Sequence, residues 1–143
     1  MSETNESILA KAMNNKKLFF ISLFLLLILI SFDTFAKVYS FYYYHPNFDM
    51  IMHFLGGLFI TSLAISILKS SKMDSSMNIF IMIFCVSILW EYVEFKIGKN
   101  IFINKGFWVD TFYDLLMDAL GGIMAYICFH KIPILRNQKN LQK

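Results

Sequence analysis

Charge is scarce in this chain and cysteine scarcer still. Only 16% of its 143 residues are charged, and much of that charge falls in short runs between apolar blocks. A soluble domain of this size has too little interior to hide a composition that is 57% apolar and 17% aromatic, because small domains leave much of their surface in water. The two cysteines, Cys85 and Cys128, stand inside apolar blocks without metal-ligand spacing. They read as packed or lipid-buried thiols, and no disulfide is expected. A net charge of +3, carried by lysines that flank apolar blocks instead of forming a stripe, gives no nucleic-acid signal. Arginine is nearly absent: Arg136 is the single one, and the wealth of Lys, Ile, Phe and Asn suggests an AT-rich, bacterial genome. Gly-rich phosphate loops and a Ser in a Gly-rich elbow are also missing, so nucleotide cradling and nucleophilic triads find no support.

What is present is four apolar blocks. Crossing the hydrocarbon of a bilayer takes about 20 mostly apolar residues, and the blocks cover roughly 17–36, 49–68, 78–95 and 110–130, with short polar tails at 1–15 and 132–143. The first block, KKLFFISLFLLLILISF, follows a basic start like a secretory signal. No convincing small-residue cleavage site follows it and three more blocks do, so it reads as a retained span. Lipid offers no partners for backbone polar groups, and each span must therefore be helical. The expected fold is all-α: one polytopic membrane domain of four transmembrane helices arranged as two hairpins.

The lysine bias orients it. With both termini in the cytoplasm, the inner side holds Lys11, Lys16, Lys17, Lys69, Lys72, Lys131, Arg136, Lys139 and Lys143, and the outer side holds Lys37, Lys96, Lys99 and Lys105. The outer loop KVYSFYYYHPNF is rich in Tyr, as an interfacial belt would be, and Phe107 and Trp108 do the same before the fourth span. The expectation is a protein of the bacterial inner membrane, N-in and C-in.

Imposing that topology sorts the acids. Glu3, Glu6 and Asp74 fall in the cytoplasmic tail and loop. Asp33, Asp49, Glu91, Glu94, Asp110, Asp114 and Asp118 all gather at the outer side, with His53 among them. By helical rise, Asp118 lies about 12 Å deeper than Asp110, and His53 about 6 Å below Asp49. A charge at such depth costs about 2.5 kcal/mol or more unless paired, protonated or hydrated. Spacing gives each set one face: Asp49 and His53 at i, i+4; Glu91 and Glu94 at i, i+3; Asp110, Asp114 and Asp118 at i, i+4, i+8. Asp33 and Asp110 also read as plain interfacial residues, Asp110 as a helix N-terminal anion.

A phrase is written twice. DMIMHFLGG (Asp49 to Gly57) and DLLMDALGG (Asp114 to Gly122) align without a gap, with His53 standing where Asp118 stands. Both open a span from the outer side, which suggests two hairpins related by an axis along the membrane normal. The pairs Gly56-Gly57 and Gly121-Gly122 lie within a turn of the deepest polar residues and would let the two helices approach closely.

Carboxylates and an imidazole gathered from several helices are the ingredients of a carboxylate-type metal site. Oxygen ligands favour Mg, Ca or Mn, and one His admits Zn or Fe. The candidate metal ligands are Asp49, His53, Glu91, Asp114 and Asp118. Glu91, Glu94 or His53 is the candidate general base if the site is catalytic, with Asp110 and Glu94 as further polar members. The substrate class would be a lipid-linked or phosphorylated envelope compound at the outer leaflet. Two other readings stay open: a proton- or cation-coupled transporter, for which four helices enclose little space unless a homodimer forms, and an accessory subunit that pairs its acids with a partner.

The combination FDMIMHFLGG, LWEYVEF and DTFYDLLMDALGG resembles the YjdF-type small inner-membrane proteins of bacteria, which carry Asp-x3-His, Trp-Glu-x2-Glu and an Asp-rich, Gly-ended helix in this order. It is more distantly similar to the VanZ family. The likeness covers Phe48 to Gly122 and implies that the family's polar positions fall on Asp49, His53, Glu91, Glu94, Asp110, Asp114 and Asp118. Met50, Glu94 and Asp118 depart from the Lys, Gln and Asn usual in VanZ-like sequences.

Overall fold

The computed structural model describes residues 5–70, 75–97 and 106–131. It is helical throughout, without strands among those residues. Helix α1 runs Asn5–Val38, α2 is a single turn at Phe41–Tyr44, α3 runs Phe48–Ser70, α4 Ser76–Ile97 and α5 Phe107–Tyr126, which continues through a wider π-type turn at Ile127–Lys131. Four of these are long and apolar enough to cross a membrane: Asn15–Val38, Phe48–Lys69, Ser76–Ile97 and Trp108–Phe129. Helix α1 begins well before the expected span, because NESILAKAMNNKK holds neither Pro nor Gly to stop it. Glu3, Lys72, Asp74, Lys99, Lys105, Arg136, Lys139 and Lys143 lie outside the described residues.

The link from α1 to α3 is local chemistry. Ser40 takes a left-handed conformation at φ 52 and turns the chain into α2. Pro46, which has no N–H to donate, then stands in the turn before α3. The rings of Phe41 and Phe48 meet edge to face at 5.0 Å and close the hairpin tip.

Helices α3 and α5 form the closest-packed pair, running the same way. Glycine makes this possible. A Cβ on Gly57 would meet the Asp118 backbone, with the carbonyl carbon at 2.8 Å, and one on Gly121 would lie 3.0 Å from Leu58 N and Phe54 C. Helix α1 packs along α3, while α4 packs against both α3 and α5. The two hairpins are thus not equivalent in their packing, although α3 and α5 do face each other as the repeated phrase suggests.

The interior is more polar than the surface. Phe20, Phe24, Leu27, Phe84 and Leu89 are exposed, whereas Thr61, Ser62, Ser22 and Asp114 are among the fully buried side chains, beside Ile65 and Ile79. That inversion suits a bundle whose solvent is lipid, where apolar side chains have no reason to leave the surface.

Candidate functional site

Three helix ends build the site. Asp49 occupies the first turn of α3, and one turn further in stands His53. Glu91 and Glu94 close α4, which runs the opposite way. Asp110 lies in the first turn of α5, followed by Asp114 and Asp118 on the same face. Each of these side chains is buried, none more than 7% exposed.

His53 is the hub. Its Nδ1 lies 3.3 Å from Asp118 Oδ2. Its Nε2 lies 3.7 Å from Glu91 Oε1, 3.9 Å from Glu94 Oε2 and 3.8 Å from Asp114 Oδ2. Those three separations exceed hydrogen-bonding reach, and Nε2, although buried, has no hydrogen-bond partner. An orphaned buried nitrogen inside a ring of carboxylate oxygens calls for something between them. Ligands about 2.1 Å from a tetrahedral metal stand about 3.4 Å apart, close to the spacing seen. Donor atoms of Asp49, His53 and Asp114 lie within 4.8 Å of one another, as do those of His53, Glu91 and Glu94. Asp118 joins neither group and holds the other ring nitrogen; Asp110, one turn above Asp114, also joins neither among the described residues.

The surroundings fix these side chains. The Trp90 indole Nε1 donates to Glu94 Oε1 at 2.8 Å, which leaves Oε2 turned toward His53. On the far side of His53 a cavity of about 360 Å³ opens between α1, α3 and α4, with Asp49, Glu94 and Asp118 at its polar end. Asp33, read from the sequence as interfacial, lines the same cavity. It accepts a hydrogen bond from the Tyr42 hydroxyl at 3.0 Å and pairs with Lys37 Nζ at 2.6 Å. Burial first, then the hydrogen bond to Asp33 and its charge, hold the Tyr42 phenol above its usual range, so it stays a donor. Sequence reasoning missed Tyr42 and Trp90, taking the former for part of an interfacial belt. The available signal was the i, i+4 spacing of Trp90 and Glu94.

A protein-family model described as "Predicted membrane protein (DUF2238)" matches residues 10–133. No curated protein matches the chain, and no solved structure does. The description speaks to membrane character and is coarser than the YjdF-type and VanZ likenesses drawn from the motifs; it names neither.

Proposed function

The chain belongs to the DUF2238 family of membrane proteins, and from that premise we propose that it holds a divalent metal ion within the bilayer, near the end of the bundle where its acids converge. The observation that carries this reading is His53 Nε2, buried and without a hydrogen bond, facing Glu91, Glu94 and Asp114 at 3.7–3.9 Å. His53 is common to two candidate ligand sets, one with Asp49 and Asp114 and one with Glu91 and Glu94. Asp118 takes the orienting role: it accepts from Nδ1–H, fixes the tautomer and leaves Nε2 free to ligate. One imidazole among oxygens suits Mn, Mg, Ca or Zn. Such an ion would polarise an oxygen of a bound headgroup or lower the pKa of a bound water, and Glu91 or Glu94 would take up the proton. We read the site as opening toward the outer leaflet of the bacterial inner membrane, with both termini cytoplasmic, and the three motifs as those of the YjdF-type group.

The test is elemental analysis of the detergent-purified protein. Stoichiometric divalent metal in the wild type, lost in Asp114→Asn and in His53→Gln with melting still cooperative, is the expected result. Wild-type protein free of metal after purification from metal-supplemented cells would end this reading and shift weight to proton exchange or partner binding.

A further inference from the structure

The cavity beside His53 has two unlike ends, and the contrast identifies what enters it. One end is walled by Asp33, Asp49, Glu94 and Asp118, the other by Leu26, Leu29, Phe59, Ile60 and Val86. Among the described residues no Lys or Arg lines it, and His53 is its one basic side chain. Helix α1 packs mainly on α3, and Ile30 of α1 and Trp90 of α4, both in the lining, are each 53% exposed, so the cavity opens sideways between α1 and α4. At about 360 Å³ the space is within the range of small-ligand sites, about 300–1,000 Å³.

We infer that this cavity binds an amphiphilic ammonium: a cationic nitrogen head set among the carboxylates, with a single apolar chain laid between α1 and α4. Electrostatics selects the head. The metal reading shares Asp49, His53 and Glu94 with the cavity lining, and one divalent ion together with Lys37 brings three positive charges against the six carboxyl groups of Asp33, Asp49, Glu91, Glu94, Asp114 and Asp118. An anionic head would meet like charge at low dielectric, which costs more than in water. The aromatic faces of Tyr42 and Trp90, both in the cavity wall, add the ring surface that ammonium groups favour. Asp33 shows the affinity from its other side: it holds the Lys37 ammonium at 2.6 Å, on a side chain 66% exposed that is outside the cavity lining. The chain is selected by the lining and by the sideways opening, through which an apolar tail passes from the bilayer without crossing water.

The inference stands on the cavity; it shares Asp49, His53 and Glu94 with the metal reading, while Asp33 and the apolar end belong to the cavity alone. Trp90 and Trp108 are the two tryptophans; Trp90 lines the cavity and Trp108 does not, so Trp108→Phe leaves Trp90 as the reporter at the cavity wall. In nanodiscs of neutral lipid, this protein is titrated with dodecyltrimethylammonium, with tetramethylammonium and with dodecanoate, following Trp90 fluorescence. Saturable binding of the first is expected, with tetramethylammonium and dodecanoate each at least tenfold weaker. Asp33→Asn should weaken the probe at least tenfold, Asp33→Glu should restore it, and Lys37→Gln, which frees Asp33, should tighten it. Leu29→Phe, which fills the apolar end, should weaken it while leaving metal content unchanged. Asp114→Asn, aimed at the metal, should keep probe binding, which separates this inference from the metal reading. Equal binding of dodecanoate, equal binding of tetramethylammonium, indifference to Asp33→Asn, or loss of the probe in Asp114→Asn would each overturn it.

Discussion

The two nitrogens of His53 have different neighbours, and that difference assigns roles to acids that look alike in sequence. Asp118 sits on Nδ1 at 3.3 Å, whereas Glu91, Glu94 and Asp114 surround Nε2. A carboxylate on the far nitrogen of a metal-binding His holds the ring and raises its basicity, and its loss commonly costs 10–100-fold in metal affinity. Asp118→Asn keeps the shape and removes the charge. Its expected effect is a fall of that size in Mn or Zn affinity, read by competition with a chelating dye, with the bundle still folded. Unchanged affinity would remove Asp118 from the assembly. Part of this was legible in the sequence, because residues 53 and 118 occupy the same place in the repeated phrase and so face each other across the α3–α5 contact. The division of labour was not legible, since spacing along a helix fixes a face but not which atom of a neighbour it meets. Asp33 was hidden for a related reason: its i, i+4 partner Lys37 explains it locally, and only the fold shows the Tyr42 hydroxyl and the cavity on its other side.

Helix α3 carries two adjacent glycines with unequal demands. A Cβ at Gly56 would find Asp118 Oδ1 at 3.5 Å, an ordinary contact with a side chain, whereas one at Gly57 would strike the Asp118 backbone. Backbone cannot swing aside as a side chain does. Gly57→Ala is therefore expected to destabilise by about 1–3 kcal/mol, the usual range for overpacking. It should also part α3 from α5 enough to separate His53 from Asp118. Gly56→Ala should come close to the wild type, since Ala is also the better helix former. Thermal melting in detergent, with metal content as the second readout, distinguishes them; equal melting of both variants would count against the close crossing. Element lengths are easily read in such a chain, because a bilayer demands about 20 apolar residues per crossing. Neighbour choice is harder. Lipid-facing Phe84 and core-facing Ile83 sit side by side in α4 and are equally apolar, so hydrophobicity does not say that α4 touches both α3 and α5 while α1 keeps to α3.

The molecule as a whole segregates its charge along the bundle axis. Asp33, Asp49, Glu94 and Asp110 mark one end, accompanied by Lys37 and Lys96, while Lys16, Lys17 and Lys69 mark the other. Two pressures act on this asymmetry. Buried acids need hydration, a cation or protons within reach, which favours a place near a helix end for His53, Glu91, Asp114 and Asp118. Separately, lysines beside short loops are retained in the cytoplasm, and here they crowd the opposite end. The first pressure places the acids at an end of the bundle, and the second predicts that this end faces outward. A single cysteine at Lys37, in a protein with Cys85→Ser and Cys128→Ser, should then react with a membrane-impermeant maleimide added to intact cells whose outer barrier, if they have one, is permeabilised. Protection at that position until the cytoplasmic membrane is broken would turn the bundle over. The acid end would then meet cytoplasmic cations and the inner leaflet, and the lysine bias would have to be explained by something other than retention.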